Sequence, residues 1–420
     1  MKVTPAEAGP IRRGWSDFTK LWVGQSVSMV GSQVTMLALP LTAATFLGAS
    51  ALQMGILSAA ESLPALILGL FAGAWVDRYK RRPVLITADI GRALVLGVIP
   101  LAALLGILRM EILYVVGFLT GGLGLFFNVA YRSYLPGLVG KEHLVEANSK
   151  LELSNSVAEI IGPGAAGGLT QLIGAPLAIA VDAASFLVSA FSLGKIRTPE
   201  PTLPPKTEEQ NLGGEIKDGL KLVFGEKRLR ALAGCIGTLS LFNSIIEAVA
   251  ILFLTRQVGL SAGWLGLIFA GGSIGFLVGA LAASRVTQRI GLGRSLVLGL
   301  LVTGASDLLI PLAGGLHILW LVVGVLILAQ FCFGLGLTIF NIGQVSLRQA
   351  ITPDAMQGRM NATISMITWG IVPLGGLVGG LLGQTWGLSQ TLVLAALGEI
   401  LAVGWLIISP IRQIKQSGVV

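Results

Sequence analysis

Glu61, Glu159, Glu247, Asp307 and Glu399 each stand inside a stretch that is otherwise apolar. A charged group at mid-helix in hydrocarbon costs roughly 2.5–3.5 kcal/mol on insertion scales, so each acid needs a compensating role. Two roles are open. A buried carboxyl can close a hydrogen bond to a neighbouring helix, or it can take a proton on one side of a membrane and release it on the other. Glu247 has the pattern best suited to the second. Asn243 precedes it by four residues and shares its helical face, and its run holds no following base until Arg256. Glu61 lies mid-run in an earlier segment. Glu152, Asn155 and Glu159 recur at i, i+3 and i+7 on one face, with Glu159 the deepest. Ser32, Asn128, Gln25, Ser28, Asn341 and Gln344 supply neutral polar groups, more often inter-helix hydrogen bonds than ligand contacts. Asp89 and Arg92 form an i, i+3 pair read as structural, and Asp182 is placed nearer the far interface.

The elements that must carry these groups follow from composition. The 420 residues are 54% hydrophobic and only 12% charged, about half the charge of a soluble domain. Too little polar material remains to cover such a chain in water, so its solvent is a bilayer. The apolar runs last roughly 20 residues, the length of a helix that crosses a membrane, and lack the alternation of a barrel strand. The reading is an all-α membrane protein with about twelve spans, at 18–47, 52–76, 84–108, 112–132, 151–173, 176–196, 231–256, 262–284, 295–314, 317–345, 361–383 and 389–409.

The longest interruption divides six spans from six. Residues 1–197 form one bundle, 198–230 a linker and 231–420 a second bundle. The linker opens with "TPEPTLPPKTEEQ". It continues as "EIKDGLKLVFGEKRLR", where Ile216, Leu220 and Val223 at helical spacing predict an amphipathic helix on the membrane surface. All of the 29 lysines and arginines except Arg109 and Arg256 fall on the side of the N-terminus. The positive-inside rule then places both termini and the linker in the cytoplasm. This also explains the net charge of +8 without nucleic acid. The polar N-terminus has no cleavable-signal pattern. Cys235 and Cys332 lack C-x-x-C spacing, so neither a disulfide nor a metal site is expected. The chain has no G-x-x-x-x-G-K-[ST] for a nucleotide-driven pump. No cofactor and no catalytic nucleophile are indicated.

The two halves repeat. At a constant offset Asn148 falls on Asn361, Gly162 on Gly375, Gly167 on Gly380 and Gly174 on Gly387; at a slightly different one Arg78 falls on Arg289. Two related six-helix bundles imply a pseudo-two-fold axis along the membrane normal, with substrate in the cleft between bundles near the midplane.

Between the second and third spans stands "GAWVDRYKRRP". A cytoplasmic anchor accounts for Lys80, Arg81 and Arg82, but not for a glycine four residues before an Asp-Arg pair. Gly73-x-x-x-Asp77-Arg78-x-x-Arg81-Arg82 resembles the loop motif of the major facilitator superfamily. In the second half the acid has become Gln288, beside Arg289. "FTKLWVGQSVSMVGS", "GRALVLGVIPLAALLG", "FFNVAYRSYLPGLV", "HLVEANSKLELSNSVAEIIGPGAAGG" and "VDAASFLVSAF" extend the resemblance over nearly the whole chain. They resemble the third drug-antiporter branch, which includes macrolide and siderophore exporters. Two features depart from related branches. The fourth span carries no Arg, and the fifth reads Gly162-Pro163-x-x-x-Gly167-Gly168, one residue longer than the antiporter signature. There Gly162, Gly164, Gly167 and Gly168 would allow close helix approach and Pro163 would bend the span.

The resemblance implies roles. Asp77 and Arg78, with Gly73, Arg81 and Arg82, would latch the cytoplasmic ends of the bundles, Asp77 facing the helix start near Asn361. Spans one and seven would line the cavity, which makes Glu247, Glu61, Glu159, Asn243, Ser32 and Asn128 the candidate proton and substrate site. Asp307 and Glu399, on spans nine and twelve, would be peripheral and stay outside it. Met29, Met36, Phe126, Phe127, Phe242 and Phe340 suit an apolar pocket, and the scarcity of bases in the spans weighs against anionic substrates. The expected protein is a monomeric exporter in a bacterial cytoplasmic membrane. It would exchange amphipathic or hydrophobic small molecules for protons among membrane lipids. A dedicated exporter or flippase for one lipid-like molecule or siderophore is the alternative. A non-transporting scaffold or sensor is the reading from another class.

Overall fold

The computed structural model describes residues 8–76, 78–200 and 212–414. They are helical, with no strand among them. In order come α1 (Ala8–Leu41), α2 (Ala51–Val76), α3 (Arg81–Leu104), α4 (Met110–Val139), α5 (Leu144–Ile173) and α6 (Ala175–Gly194). Then follow α7 (Leu212–Gly225), α8 (Lys227–Leu252), α9 (Ala262–Ile290), α10 (Leu292–Asp307), α11 (Leu309–Ala313), α12 (Leu319–Ile351), α13 (Gln357–Thr385), α14 (Leu388–Leu401) and α15 (Val403–Ile408). Among the described residues eleven segments are long and apolar enough to cross a membrane, with α10–α11 and α14–α15 each forming one such segment. The remaining long helix, α5, has 30 residues. Its polar face at Glu152, Asn155 and Glu159 lowers its hydropathy, and it occupies the place of the expected fifth span.

The chain forms two compact units, Met1–Leu47 with Ala60–Thr207, and Gly48–Ala59 with Glu208–Val420. The opening turns of α2 therefore group with the second unit. Each unit packs in the same order. In the first, α1 lies against α5 and α6, and α3 against α4 and α6; in the second, α8 lies against α13 and α14, and α10 against α12 and α14. Both α1 and α8 end in a wider, π-type turn, at Thr42–Phe46 and Phe253–Gln257. Gly174 and Gly387 open the repeat-related α6 and α14 at φ of +85° and +101°. Only glycine takes that conformation without strain, and it lets each hairpin close within a single residue or two.

Each core is made by side chains from alternating helical faces. Phe18, Leu85, Phe127 and Leu193 meet in the first unit, and Leu232, Leu296, Phe340 and Leu406 in the second. Polar stitches hold the segment that leaves α6. Asp17 accepts from the backbone N–H of Arg197 (2.9 Å) and Thr198 (2.8 Å). Glu200 accepts from the N–H groups of Arg81 (2.7 Å) and Arg82 (2.8 Å), capping the start of α3.

One expectation is corrected by α7. At Val223 and Gly219 it is covered by protein, where the sequence predicts a membrane surface. Val223 is fully buried beside Leu229, Met360 and Ile364, and Gly219 lies against Arg359 and Thr363 of α13. The linker's "EKRLR" also belongs to the next helix: Glu226 caps α8, accepting from the Leu229 N–H at 2.8 Å.

Candidate functional site

The second unit contains a cavity of about 330 Å³ between α8, α12 and α13. Residues at i, i+3 and i+7 on α12 put Asn341, Gln344 and Arg348 on one wall, and α8 contributes Asn243. Phe333, Phe340 and Trp369 add aromatic surface. Phe340 is thus the expected pocket aromatic that is found here. Phe127 is instead buried in the first unit, and Met36 is 75% exposed.

Arg348 adds a base to a cavity where the sequence predicts few. The tenth span was expected to end at residue 345, but α12 continues to Ile351 and carries Arg348 on the cavity face. Arg348 is 8% exposed and its Nε has no hydrogen-bond partner; Oε1 of the neighbouring Gln344 is likewise buried and unmatched.

Next to the cavity stands a group of carboxyls. Asp307 on α10 and Glu399 on α14 are 3% and 0% exposed, and their carboxyls face one another. The Asn243 side chain lies beside Glu399. Glu247, one turn along α8, is exposed and lies within electrostatic reach of both acids. Two glycines make this possible. A Cβ on Gly304 would stand 2.7 Å from Ile400 Cγ1, and one on Gly398 2.4 Å from the Phe242 ring. Without side chains there, α10, α14 and α8 draw together. The sequence reading leaves Asp307 and Glu399 outside the site as peripheral; the structure puts Glu399 beside Asn243 and Asp307 against Glu399. Among the described residues no base contacts the pair, and both Glu399 oxygens and Asp307 Oδ2 lack a well-formed hydrogen bond.

The first unit handles the same problem differently. By the repeat, α3 and α6 correspond to α10 and α14. Asp89 on α3 is ion-paired with Arg92, whose guanidinium stacks 4.4 Å from the Phe127 ring centre and 4.0 Å from that of Phe186. Asp182 on α6, 1% exposed, lies within electrostatic reach of Arg92. Ser32 lies beside Asp182, and Gln25 donates to Ser189 at 2.9 Å. An internal base, Arg92, thus pairs with the acid of α3 and lies within electrostatic reach of that of α6. The repeat offset that pairs Asn148 with Asn361 puts Asp89 on Val302 and Asp182 on Ala395, so comparing the halves does not by itself single out Asp307 and Glu399.

The other expected residues are dispersed. Glu61 is exposed on α2, and Asn128 is exposed on α4. Glu159 is exposed on α5 and accepts from Asn155 Nδ2 at 2.9 Å. Gly162 is buried with the Gln33 side chain packed on it, a Cβ there falling 2.4 Å from Gln33 Cγ. Gly167 is also buried, and Pro163 lies inside α5. Gly164 and Gly168 have open space where a side chain would stand, so they do not serve close approach as expected.

In the loop motif, Asp77 lies outside the described residues. Arg78 is exposed, and a Cβ on Gly73 would meet nothing. Arg82 is engaged within its own unit: Nε donates to the Leu193 carbonyl at 2.9 Å and a terminal N–H to that of Gly194 at 2.6 Å, at the end of α6.

Two repeated helical units with a polar-lined cavity among long apolar helices define a multi-pass membrane transporter. The model of the Major Facilitator Superfamily matches residues 21–246, and the chain belongs to that superfamily. It is 27% identical to the multidrug efflux pump Tap of Mycolicibacterium fortuitum, over 88% of this chain and 90% of that one. It is 27% identical to the enterobactin exporter EntS of Citrobacter koseri, over 82% and 80%. The fold is similar to that of a bacterial homologue of the iron transporter ferroportin (TM-score 0.74, 20% identity, 94% of this chain and 98% of that one).

Proposed function

We propose that the protein is a secondary active exporter in a bacterial cytoplasmic membrane, with both termini cytoplasmic. It acts as a monomer by alternating access and expels amphipathic or hydrophobic small molecules in exchange for protons. The observation that carries this reading is the placement of Asn243. Its side chain is in the wall of a cavity of about 330 Å³, a size that suits a small molecule. It also lies beside Glu399 and one turn from Glu247. Substrate and proton would therefore meet on one turn of α8. Two carboxyls brought together without a base repel when both are charged, and a shared proton removes that repulsion. Glu247, the exposed member, would exchange the proton with water, while Asp307 and Glu399 hold its partner charge. Inward movement of a proton gains about 2.3 kcal/mol per 100 mV of membrane potential, enough to drive substrate outward. The names of the relatives Tap and EntS support export. The likeness to EntS also favours a second reading, export of one siderophore or lipid-like molecule.

Asp77 and Arg78 remain our candidates for a conformational latch. With Arg82 held at the end of α6, the loop has a fixed base from which those two can act.

Purified protein in proteoliposomes, loaded with dyes, macrolides and lipid analogues under an imposed pH gradient, tests the reading. Gradient-dependent movement of at least one class is expected. No movement of any compound, with or without the gradient, would count against it and favour a non-transporting role.

A further inference from the structure

The cavity of the second unit contains a cation that meets no counter-ion among the described residues. Arg348 lines it, is more than nine-tenths buried, and has an unpartnered Nε. Among the described residues no carboxylate pairs with it. A guanidinium taken out of water without a partner costs several kcal/mol. Its position in the last turn of α12 offers one plain explanation, since cations suit helix C-termini. A residue serving only that end would extend into water, however, and this one is covered and turned along the cavity wall.

The rest of the cavity is graded along α12. Gln344 lies one turn from Arg348, with its own buried oxygen unmatched. Phe340 lies eight residues away, about 12 Å at 1.5 Å per residue, and Phe333 is further still. Trp369 faces the same space from α13. One end of the slot thus offers a planar fork of donors, and the other offers aromatic surface. Guanidinium groups pair bidentately with carboxylate, sulfonate and phosphate oxygens, and rings take up an apolar body.

We propose that the cavity's ligand is an amphipathic organic anion, its acidic group held by Arg348 and its apolar body against Phe340, Phe333 and Trp369. This narrows the substrate class of the proposed exporter and rests on that reading only in taking the cavity as the substrate site. It reverses the expectation that anions are disfavoured. The anionic group could belong to a soluble amphipathic acid or to a phospholipid headgroup, and both present the same oxygens to Arg348.

The test is equilibrium binding to the full chain in phosphatidylcholine nanodiscs, corrected with protein-free discs. Two probes of matched shape are used: 1-anilinonaphthalene-8-sulfonate and its uncharged parent N-phenyl-1-naphthylamine. The wild type should bind the sulfonate at least about tenfold more tightly. Arg348→Gln should remove that preference while leaving the neutral probe unchanged, and Arg348→Lys should keep part of it. Equal wild-type affinities for the two probes would overturn the proposal, as would an equal loss of both in Arg348→Gln. If Arg348→Gln does not fold, the wild-type ratio alone decides. Discs containing phosphatidylglycerol separate the sources. Competition by that lipid assigns the site to a headgroup, and undisturbed sulfonate binding assigns it to a soluble acid. Because binding requires no transport, sulfonate preference without gradient-driven efflux would sink the export reading and leave this one standing.

Discussion

At Glu247 a sequence pattern and a three-dimensional neighbourhood meet. It is exposed on α8, with Asn243 in the cavity wall one turn back, and is our proposed proton site. Glu247→Gln mimics the protonated form. It should retain substrate binding, lose pH-driven efflux in vesicles, and bind with no pH dependence. Normal efflux with wild-type pH dependence would make Glu247 a structural carboxyl. The neighbouring packing is testable separately. Gly304→Val would drive a side chain into Ile400, where a Cβ already falls 2.7 Å from Cγ1 and 3.0 Å from the backbone nitrogen. Overpacking of this kind costs typically 1–3 kcal/mol, so the melting temperature in detergent should fall. An unchanged melting temperature would mean that α10 and α14 can separate freely.

Helix ends carry the next set of consequences. Glu226 caps α8 just outside the membrane-spanning segment. Burial pushes its carboxyl up, but hydrogen bonds from Arg228 and Leu229 and the Arg228 charge outweigh this and hold it below its ordinary value of 4.5. A depressed acid stabilises the fold above its unfolded value and loses that contribution as pH falls through the folded value. Amide exchange at residues 228–230 should therefore accelerate as pH drops below about 4.5, after correction for intrinsic rates. Glu226→Ala should remove that pH dependence and cost about 1 kcal/mol at neutral pH. A variant whose corrected exchange matches wild type throughout would show that the cap contributes nothing. The same junction explains why α7 was misread from its pattern. An apolar stripe at helical spacing specifies that a face is covered, and protein and lipid satisfy it equally well. Val223, fully buried against Leu229 and Met360, shows that protein won.

For the molecule as a whole, the asymmetry of charge makes an orientation prediction. After replacement of Cys235 and Cys332, single cysteines at Lys221 and Ser261, both exposed, are treated with an impermeant thiol reagent in intact cells. Labelling at Ser261 but not at Lys221 is expected; the reverse pattern would overturn the cytoplasmic placement of the linker. The repeat has a functional corollary at this scale. Both units bury acids on equivalent helices, but among the described residues only the first sets a base, Arg92, beside them. The second leaves Asp307 and Glu399 without one, beside the cavity that holds Arg348.

What the sequence determined by itself is what depends on composition, periodicity and local chemistry. Apolar runs about as long as a membrane is thick left helices as the form. The matched glycines, Gly174 with Gly387 and Gly162 with Gly375, disclosed the repeat, and "GAWVDRYKRRP" pointed to the superfamily. Asn243 and Glu247 were legible because they lie on one helix face, where spacing alone fixes proximity. The tertiary structure decided what depends on which helices touch. Asp307 and Glu399 are 92 residues apart in number (399 − 307), and nothing local says that their carboxyls meet. They do so because Gly304 and Gly398 let α10, α14 and α8 approach closely. By sequence Arg348 reads as one more cytoplasmic base, but α12 runs nearly two turns past the expected end and carries it on the cavity wall. Inter-helix contacts are set by packing complementarity between segments distant in the chain, and single-helix patterns do not encode that.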